Sequence, residues 1–223
     1  MVDALVNSIK ILFPFDVFVE VLTASDKTYV LHPQEAAYLE DMPLKRRKSF
    51  VMGRVCSKNS LSKIYDDYFP VLVGKNRQPL WPEKVTGSIS HSGDYCASVV
   101  TLKNESLISI GFDIETNKDI SDFFIDYVCT DWEKLNRGNL VDLSHIEFSK
   151  LVFSIKESFY KAIYPVLKLE LDFFDVEVDF SEHDHSFRFR SLNQSINKLN
   201  IHGRYCITDS YVISGVSVYK KIG

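Results

Sequence analysis

The sequence predicts an α+β fold of two lobes, and three features of its pattern carry that expectation. Segments with the two-residue alternation of β-strands occur near the start, in the middle and after residue 170. Two longer helical segments, one basic and one strongly apolar, lie among them. In order, the elements run strand, helix, strand and then helix, strand, twice over, which is an α+β pattern. The break is expected between residues 106 and 109, giving an N-terminal lobe of residues 1–108 and a C-terminal lobe of 109–223.

Val17, Val19 and Val21 alternate with Phe18 and Glu20 and predict a first strand. Pro33 opens a short helix reaching Asp41, and Pro43 opens a longer one. Residues 71–82, punctuated by Gly74, Pro79 and Pro82, predict a loop. Strands are expected at 86–90, 95–101 and 107–114, with Gly93 and Asp94 turning between the first two. Short helices are expected at 120–128 and 131–137. Ser144 and Glu147 have the spacing of a capping box at the head of a long helix over 145–164, which Pro165 is expected to stop. Strands at 173–180, 187–190, 205–208 and 211–219 complete the chain.

Composition bounds the function. The 223 residues, 45% hydrophobic and 25% charged, describe an ordinary globular chain with a net charge of −4. That charge excludes nucleic acid as the main partner. It hides a basic run: seven Lys or Arg and no acid between Lys45 and Lys63. A solvated helix face is the plain reading of such a run. Cys56, Cys96, Cys129 and Cys206 stand singly in apolar surroundings, without a CxxC pair, which argues against zinc and for core filler in a reducing cytoplasm. The first apolar stretch contains Asp3, Lys10, Pro14 and Asp16, so neither a signal peptide nor a membrane span is expected.

Three motifs carry chemistry. In Gly111-Phe112-Asp113-Ile114-Glu115, Asp113 and Glu115 project from one side of a strand while Phe112 and Ile114 face the other. Neighbouring carboxylates repel unless a cation lies between them, and hard oxygen donors suit magnesium. Two exposed acids at a strand end are the competing reading. On the long helix, Phe148, Leu151, Val152, Ile155, Phe159, Ala162 and Ile163 form an apolar stripe, with Phe153 and Tyr160 round the side. Lys150, Ser154, Glu157 and Lys161 form a narrow polar strip. Such a helix is expected to be buried on two sides, as between two lobes, with Glu157 a third carboxylate beside Lys161; a surface Glu–Lys pair is the alternative. Finally, Gly87-Ser88-Ile89-Ser90-His91-Ser92-Gly93 offers hydroxyls, backbone N–H groups and an imidazole to a phosphate, although a lone histidine at a strand end also serves structure. Upstream, residues 74–82 place Lys75 and Arg77 beside a rigid turn.

Together and in this order, GSISHS, GFDIE and FSIKESFYKA resemble 4'-phosphopantetheinyl transferases of the Sfp/EntD type. Lys156-Glu157-Ser158-Phe159-Tyr160-Lys161-Ala162 is similar to the family's helix motif, and Asp113 and Glu157 have its separation. Arg77-Gln78-Pro79-Leu80-Trp81-Pro82, with Arg46 and Arg54 flanking Phe50-Val51-Met52-Gly53, resembles the enterobactin-synthase branch. The resemblance spans residues 45–180.

It implies two similar lobes related by a pseudo-two-fold axis, with coenzyme A between them. Shorter holo-synthase relatives trimerise, so a chain holding both halves is expected to be a monomer. The implied reaction moves the 4'-phosphopantetheine arm of coenzyme A to a serine of an acyl or peptidyl carrier protein, releasing 3',5'-ADP. Asp113, Glu115 and Glu157 would be ligands of Mg2+, with Mn2+ as a substitute. Glu157 would also be the base for the carrier serine and Lys161 would stabilise the pyrophosphate. Lys156 would bind phosphate. Ser90 and His91 would hold the 3'-phosphate with help from Arg46 and Arg54, and Arg77 and Gln78 would line the adenine side; Arg47 and Lys48 are less clearly aligned. Two other classes stay open: a magnesium-dependent nucleotidyl transferase, which would not need GSISHS, and a non-catalytic carrier-binding module, which would not need the carboxylates.

Overall fold

In a computed structural model the chain divides into two compact units, residues 1–103 and 104–223. The structure describes residues 2–24, 29–67, 69–116, 124–137, 140, 142–181, 183–191 and 193–221. The separation at Lys103 and Asn104 precedes the strand that begins at Leu107, whereas a boundary at 108/109 would cut into it.

The N-terminal unit runs α1 (Val2–Lys10), β1 (Phe18–Thr23), α2 (Pro33–Ala36), a 3-10 turn (Ala37–Leu39), α3 (Leu44–Leu61), β2 (Leu72–Val73), β3 (Pro79–Leu80), β4 (Val85–Ser92) and β5 (Tyr95–Leu102). The three main strands form an antiparallel sheet of order β1-β5-β4. Gly93, at φ 57°, supplies the left-handed residue of the β4–β5 turn. Helix α3 lies on this sheet; Met52, Cys56 and Cys96 pack with Leu22 and Ile89 in one cluster, and Leu61 packs with Val71, Val85 and Val100 in another. The segment expected to be loop carries the two-residue ladder β2–β3, because the turn before Pro79 closes through Gly74 N–H to Gln78 O at 2.8 Å. Helix α1 went unrecognised; it buries Leu5 and Ile9.

The C-terminal unit runs β6 (Leu107–Thr116), α4 (Phe124–Val128), α5 (Asp131–Leu135), α6 (His145–Leu167), β7 (Val176–Phe180), β8 (Ser186–Ser191), α7 (Gln194–Asn197), β9 (Leu199–Ile207) and β10 (Tyr211–Lys220). Its sheet is antiparallel with order β6-β10-β9-β8-β7. The start of the helix expected at 120–128 lies outside the described residues. Every member of the apolar stripe on α6 is at most 1% exposed, and the helix lies over β6 and β10. Its other side is covered within the same unit, where Phe153 meets Phe124 of α4 at 5.4 Å and Phe173 at 5.6 Å between ring centroids. Burial on two sides therefore needs no second lobe. Pro165 does not stop α6. It sits in the last turn, where a missing N–H costs one bond, and the helix ends at Lys168 in the left-handed conformation, φ 54°.

The two units repeat one plan. In each, the first strand pairs with the last, the last pairs with the strand before it, and the long helix lies on them. The repetition reaches side chains. Lys63, in the turn just after α3, donates to Val19 O at 2.8 Å and Glu20 Oε2 at 3.2 Å; Lys161 of α6 donates to Asp113 Oδ1 at 2.6 Å and Phe112 O at 3.5 Å. Ser60 meets Ser98 at 3.0 Å, as Ser158 meets Ser214 at 3.0 Å. Glu35, Asn59, Ser60 and Lys63 precede Glu133, Glu157, Ser158 and Lys161 at one constant offset in sequence.

Candidate functional site

Gly111 explains how this site forms. A Cβ at Gly111 would fall inside the van der Waals surface of Ser158 O and lie 2.8 Å from Ala162 N, both backbone atoms of α6. Only glycine lets the helix settle this close to β6. The approach is held from β10, where Ser214 meets Ser154 at 2.9 Å and Ser158 at 3.0 Å; Ser214 stands opposite Asp113 in the ladder. Two residues along β6 from Gly111, on the same face, Asp113 meets Lys161 one turn along α6. Asp113 is 2% exposed, and Lys161 keeps 27% of its side-chain surface open.

Glu157 lies one turn before Lys161 on the same helix. Burial pushes its proton affinity up from the ordinary glutamate range; the neighbouring Lys161 ammonium opposes this and the Asp113 carboxylate reinforces it. The structure thus brings Asp113, Glu157 and Lys161 together. Glu115 is half-buried two residues beyond Asp113, opposite Val212. Among the described residues no three His, Cys, Asp or Glu side chains gather tightly enough to hold a metal ion. Asp113 and Glu157 are hard oxygen donors of the kind magnesium takes alongside phosphate oxygens and water.

Lys156 is elsewhere. It is 3% exposed, and its ammonium donates to Val128 O at 2.9 Å, Glu133 Oε2 at 2.8 Å and Phe173 O at 2.6 Å. All three protons are used, so the phosphate-binding role expected for Lys156 is withdrawn. Glu133 escaped the sequence reading. The Thr130-Asp131-Trp132-Glu133 capping box was a visible signal for it.

In the N-terminal unit, strand alternation separates the two residues assigned to one phosphate. His91 is exposed on the α3 side with Ile89, whereas Ser90 is 4% exposed on the opposite face with Ser88. One phosphate cannot meet both side chains from one face of the sheet. Arg46 is exposed; Arg54 is buried with its guanidinium 4.4 Å from the centre of the Phe50 ring. Arg47 is committed to the helix entry, donating to Met42 O at 2.9 Å. Arg77 is exposed at φ 64° in the turn between β2 and β3, and Gln78 folds over that turn, accepting from Asn76 N–H at 3.0 Å. Cys56, Cys96 and Cys129 are buried free thiols, and Cys206 is half-buried. No helix among the described residues is long and apolar enough to cross a membrane.

Residues 34–101 match the family described as the 4'-phosphopantetheinyl transferase N-terminal domain, and residues 109–214 match the 4'-phosphopantetheinyl transferase superfamily. The chain is similar to 4'-phosphopantetheinyl transferase Svp of Streptomyces mobaraensis, 28% identical over 89% of this chain and 82% of that one. It is similar to 4'-phosphopantetheinyl transferase Npt of Nocardia iowensis, 27% identical over 83% and 88% of the two chains. With enterobactin synthase component D of Escherichia coli K12 it shares 31% identity over 56% of its own length and 59% of that protein's. A solved holo-(acyl-carrier-protein) synthase from Bacillus anthracis, in complex with CoA (3',5'-ADP), superposes on 52% of this chain and 99% of its own at 20% identity, with a TM-score of 0.40.

Proposed function

Because the chain belongs to the 4'-phosphopantetheinyl transferase superfamily, we propose that it transfers the phosphopantetheine arm of coenzyme A to a serine of an acyl or peptidyl carrier protein, releasing 3',5'-ADP. The observation that carries this reading is the meeting of Asp113, Glu157 and Lys161 where α6 settles onto β6, inside the stretch matched to the superfamily.

Asp113 and Glu157 would hold magnesium, with Glu115 as the third proposed ligand. Bound there, the cation supplies positive charge to the coenzyme A pyrophosphate. Lys161, held by Asp113 and Phe112 O, keeps an ammonium beside that charge as the bond to the departing 3',5'-ADP breaks. Glu157 is also the proposed acceptor of the carrier serine proton. His91 with Arg54 is proposed for the 3'-phosphate, Arg46 as an outer contact, and Arg77 with Gln78 for the adenine side. The nucleophile belongs to the carrier, so none is needed in this chain. A cytoplasmic monomer is the proposed working form.

Intact-mass analysis of a panel of apo-carrier proteins, incubated with the chain, coenzyme A and magnesium, tests the reading. One phosphopantetheine per carrier is expected. A panel that gains no mass defeats it.

A further inference from the structure

Lys156 and Glu133 are both at most 3% exposed, yet both are charged. Buried ion pairs seldom add stability over apolar side chains of similar size, so this pair calls for another explanation. It joins four pieces of chain. Lys156 is tied to the end of α4 through Val128 O, to α5 through Glu133 and to the segment before β7 through Phe173 O. The other Glu133 oxygen accepts from Val178 N–H of β7 at 2.8 Å, and Oε2 also accepts from Thr130 N–H at 2.7 Å. Successive helix residues point about 100° apart, so holding Lys156 by its three hydrogen bonds, with two more anchoring Glu133, fixes the direction of Glu157. We propose that Glu133 is a positioning residue for Glu157, setting through Lys156 the rotation of α6 that turns Glu157 and Lys161 toward Asp113. The inference rests on the transferase reading of that site.

The N-terminal unit uses the same glutamate. Glu35, 1% exposed, accepts from Val71 N–H at 2.8 Å and from His32 N–H at 3.3 Å, at the spacing from Lys63 that Glu133 has from Lys161. In both units, a buried helix-cap glutamate accompanies a lysine, from the long helix or the turn that ends it, delivered onto a strand carboxylate.

The test separates placement from mere stability. Glu133→Gln and Lys156→Met each leave a buried charge without its partner and should lower both Tm and kcat. The double variant Glu133→Gln/Lys156→Met has no buried charge, so its Tm should return to within a few degrees of wild type. Its kcat should stay at least tenfold down and its Mn2+ affinity weakened, because the tether is gone. A double variant with recovered Tm and wild-type kcat overturns the proposal. If the double variant does not fold, Glu133→Asp, which keeps the charge but shortens the reach, should show the same losses of kcat and Mn2+ affinity; wild-type kcat there overturns it equally. Should the wild-type chain modify no carrier, the transferase reading falls. Mn2+ affinity, read by electron paramagnetic resonance, then decides the positioning inference alone. A tenfold weaker affinity in Glu133→Asp supports it; equal affinity, or binding by neither protein, overturns it.

Discussion

Replacing Gly111 by alanine tests the account of the site most directly. The new methyl group would overlap Ser158 O and crowd Ala162 N, and neither backbone atom can rotate away. A carbon–oxygen contact settles at about 3.3 Å, so α6 must retreat by roughly 1 Å or more. Overpacking of this kind costs about 1–3 kcal/mol. Each buried bond that Ser214 makes to Ser154 and Ser158 contributes about 1 kcal/mol more when stretched or lost. A total near 3 kcal/mol corresponds to a fall in Tm of about 6–12 °C for a chain of this size. Lys161 would be drawn from Asp113, so transfer to an apo-carrier should fall with stability. Gly53→Ala is the control. Its methyl group meets side-chain atoms alone, Ile89 Cγ2 at 3.0 Å and Cys96 Sγ at 3.8 Å, and alanine in mid-helix gains about 1 kcal/mol of propensity. Scanning calorimetry and the carrier assay on both variants decide the matter. If Gly111→Ala melts within about 2 °C of wild type and keeps its turnover, the close approach does not build the site.

Glu157→Gln should lower kcat by roughly 10²–10⁴-fold, the usual worth of a general base; turnover restored by saturating magnesium would make Glu157 a ligand only. The same variant should alter stability with pH. A carboxyl whose proton affinity is raised by folding makes the native state bind more protons than the unfolded chain, so stability declines as pH climbs from the ordinary glutamate range toward the raised folded value. Measured by Tm with a chelator present, Glu157→Gln should therefore be stabilising at pH 7 and neutral at pH 4; the reverse order would contradict the assigned burial. His91→Ala should weaken coenzyme A more than 3'-dephospho-coenzyme A in calorimetry, and equal weakening would remove His91 from the 3'-phosphate. The buried Tyr205 hydroxyl has no hydrogen-bond partner among the described residues, so Tyr205→Phe should raise stability by about 1 kcal/mol; a loss in denaturant titration would reveal a bond.

Periodicity exposed the parts of this molecule that depend on near neighbours. The stripe from Phe148 to Ile163 and the alternation around Asp113 needed only helix and strand geometry. Strand β9 begins at Leu199, well ahead of the expected 205–208, and the ring of Phe187 fills the space where a Gly203 side chain would be, a packing that sequence alternation does not show. Lys156 was misassigned for a similar reason. Its motif identifies the helix, but the partner that consumes its charge comes from α5 and was invisible until the chain folded. Ser90 and His91 were separable from sequence, since consecutive strand residues must face apart.

The doubled contact between helix lysine and strand carboxylate makes the molecule its own reference. The N-terminal version keeps the lysine, the carboxylate and the serine bridge, but carries Asn59 where the other carries Glu157 and Leu22 where the other carries Glu115. Whatever the two versions share, starting with the ammonium resting on a carboxylate, belongs to the way this chain joins a helix to a sheet. What they do not share is the acidic charge on either side of that contact. A lysine seated on a strand carboxylate is thus no signature of chemistry here. The chain's own silent version reduces the distinguishing part of the arrangement to two glutamates.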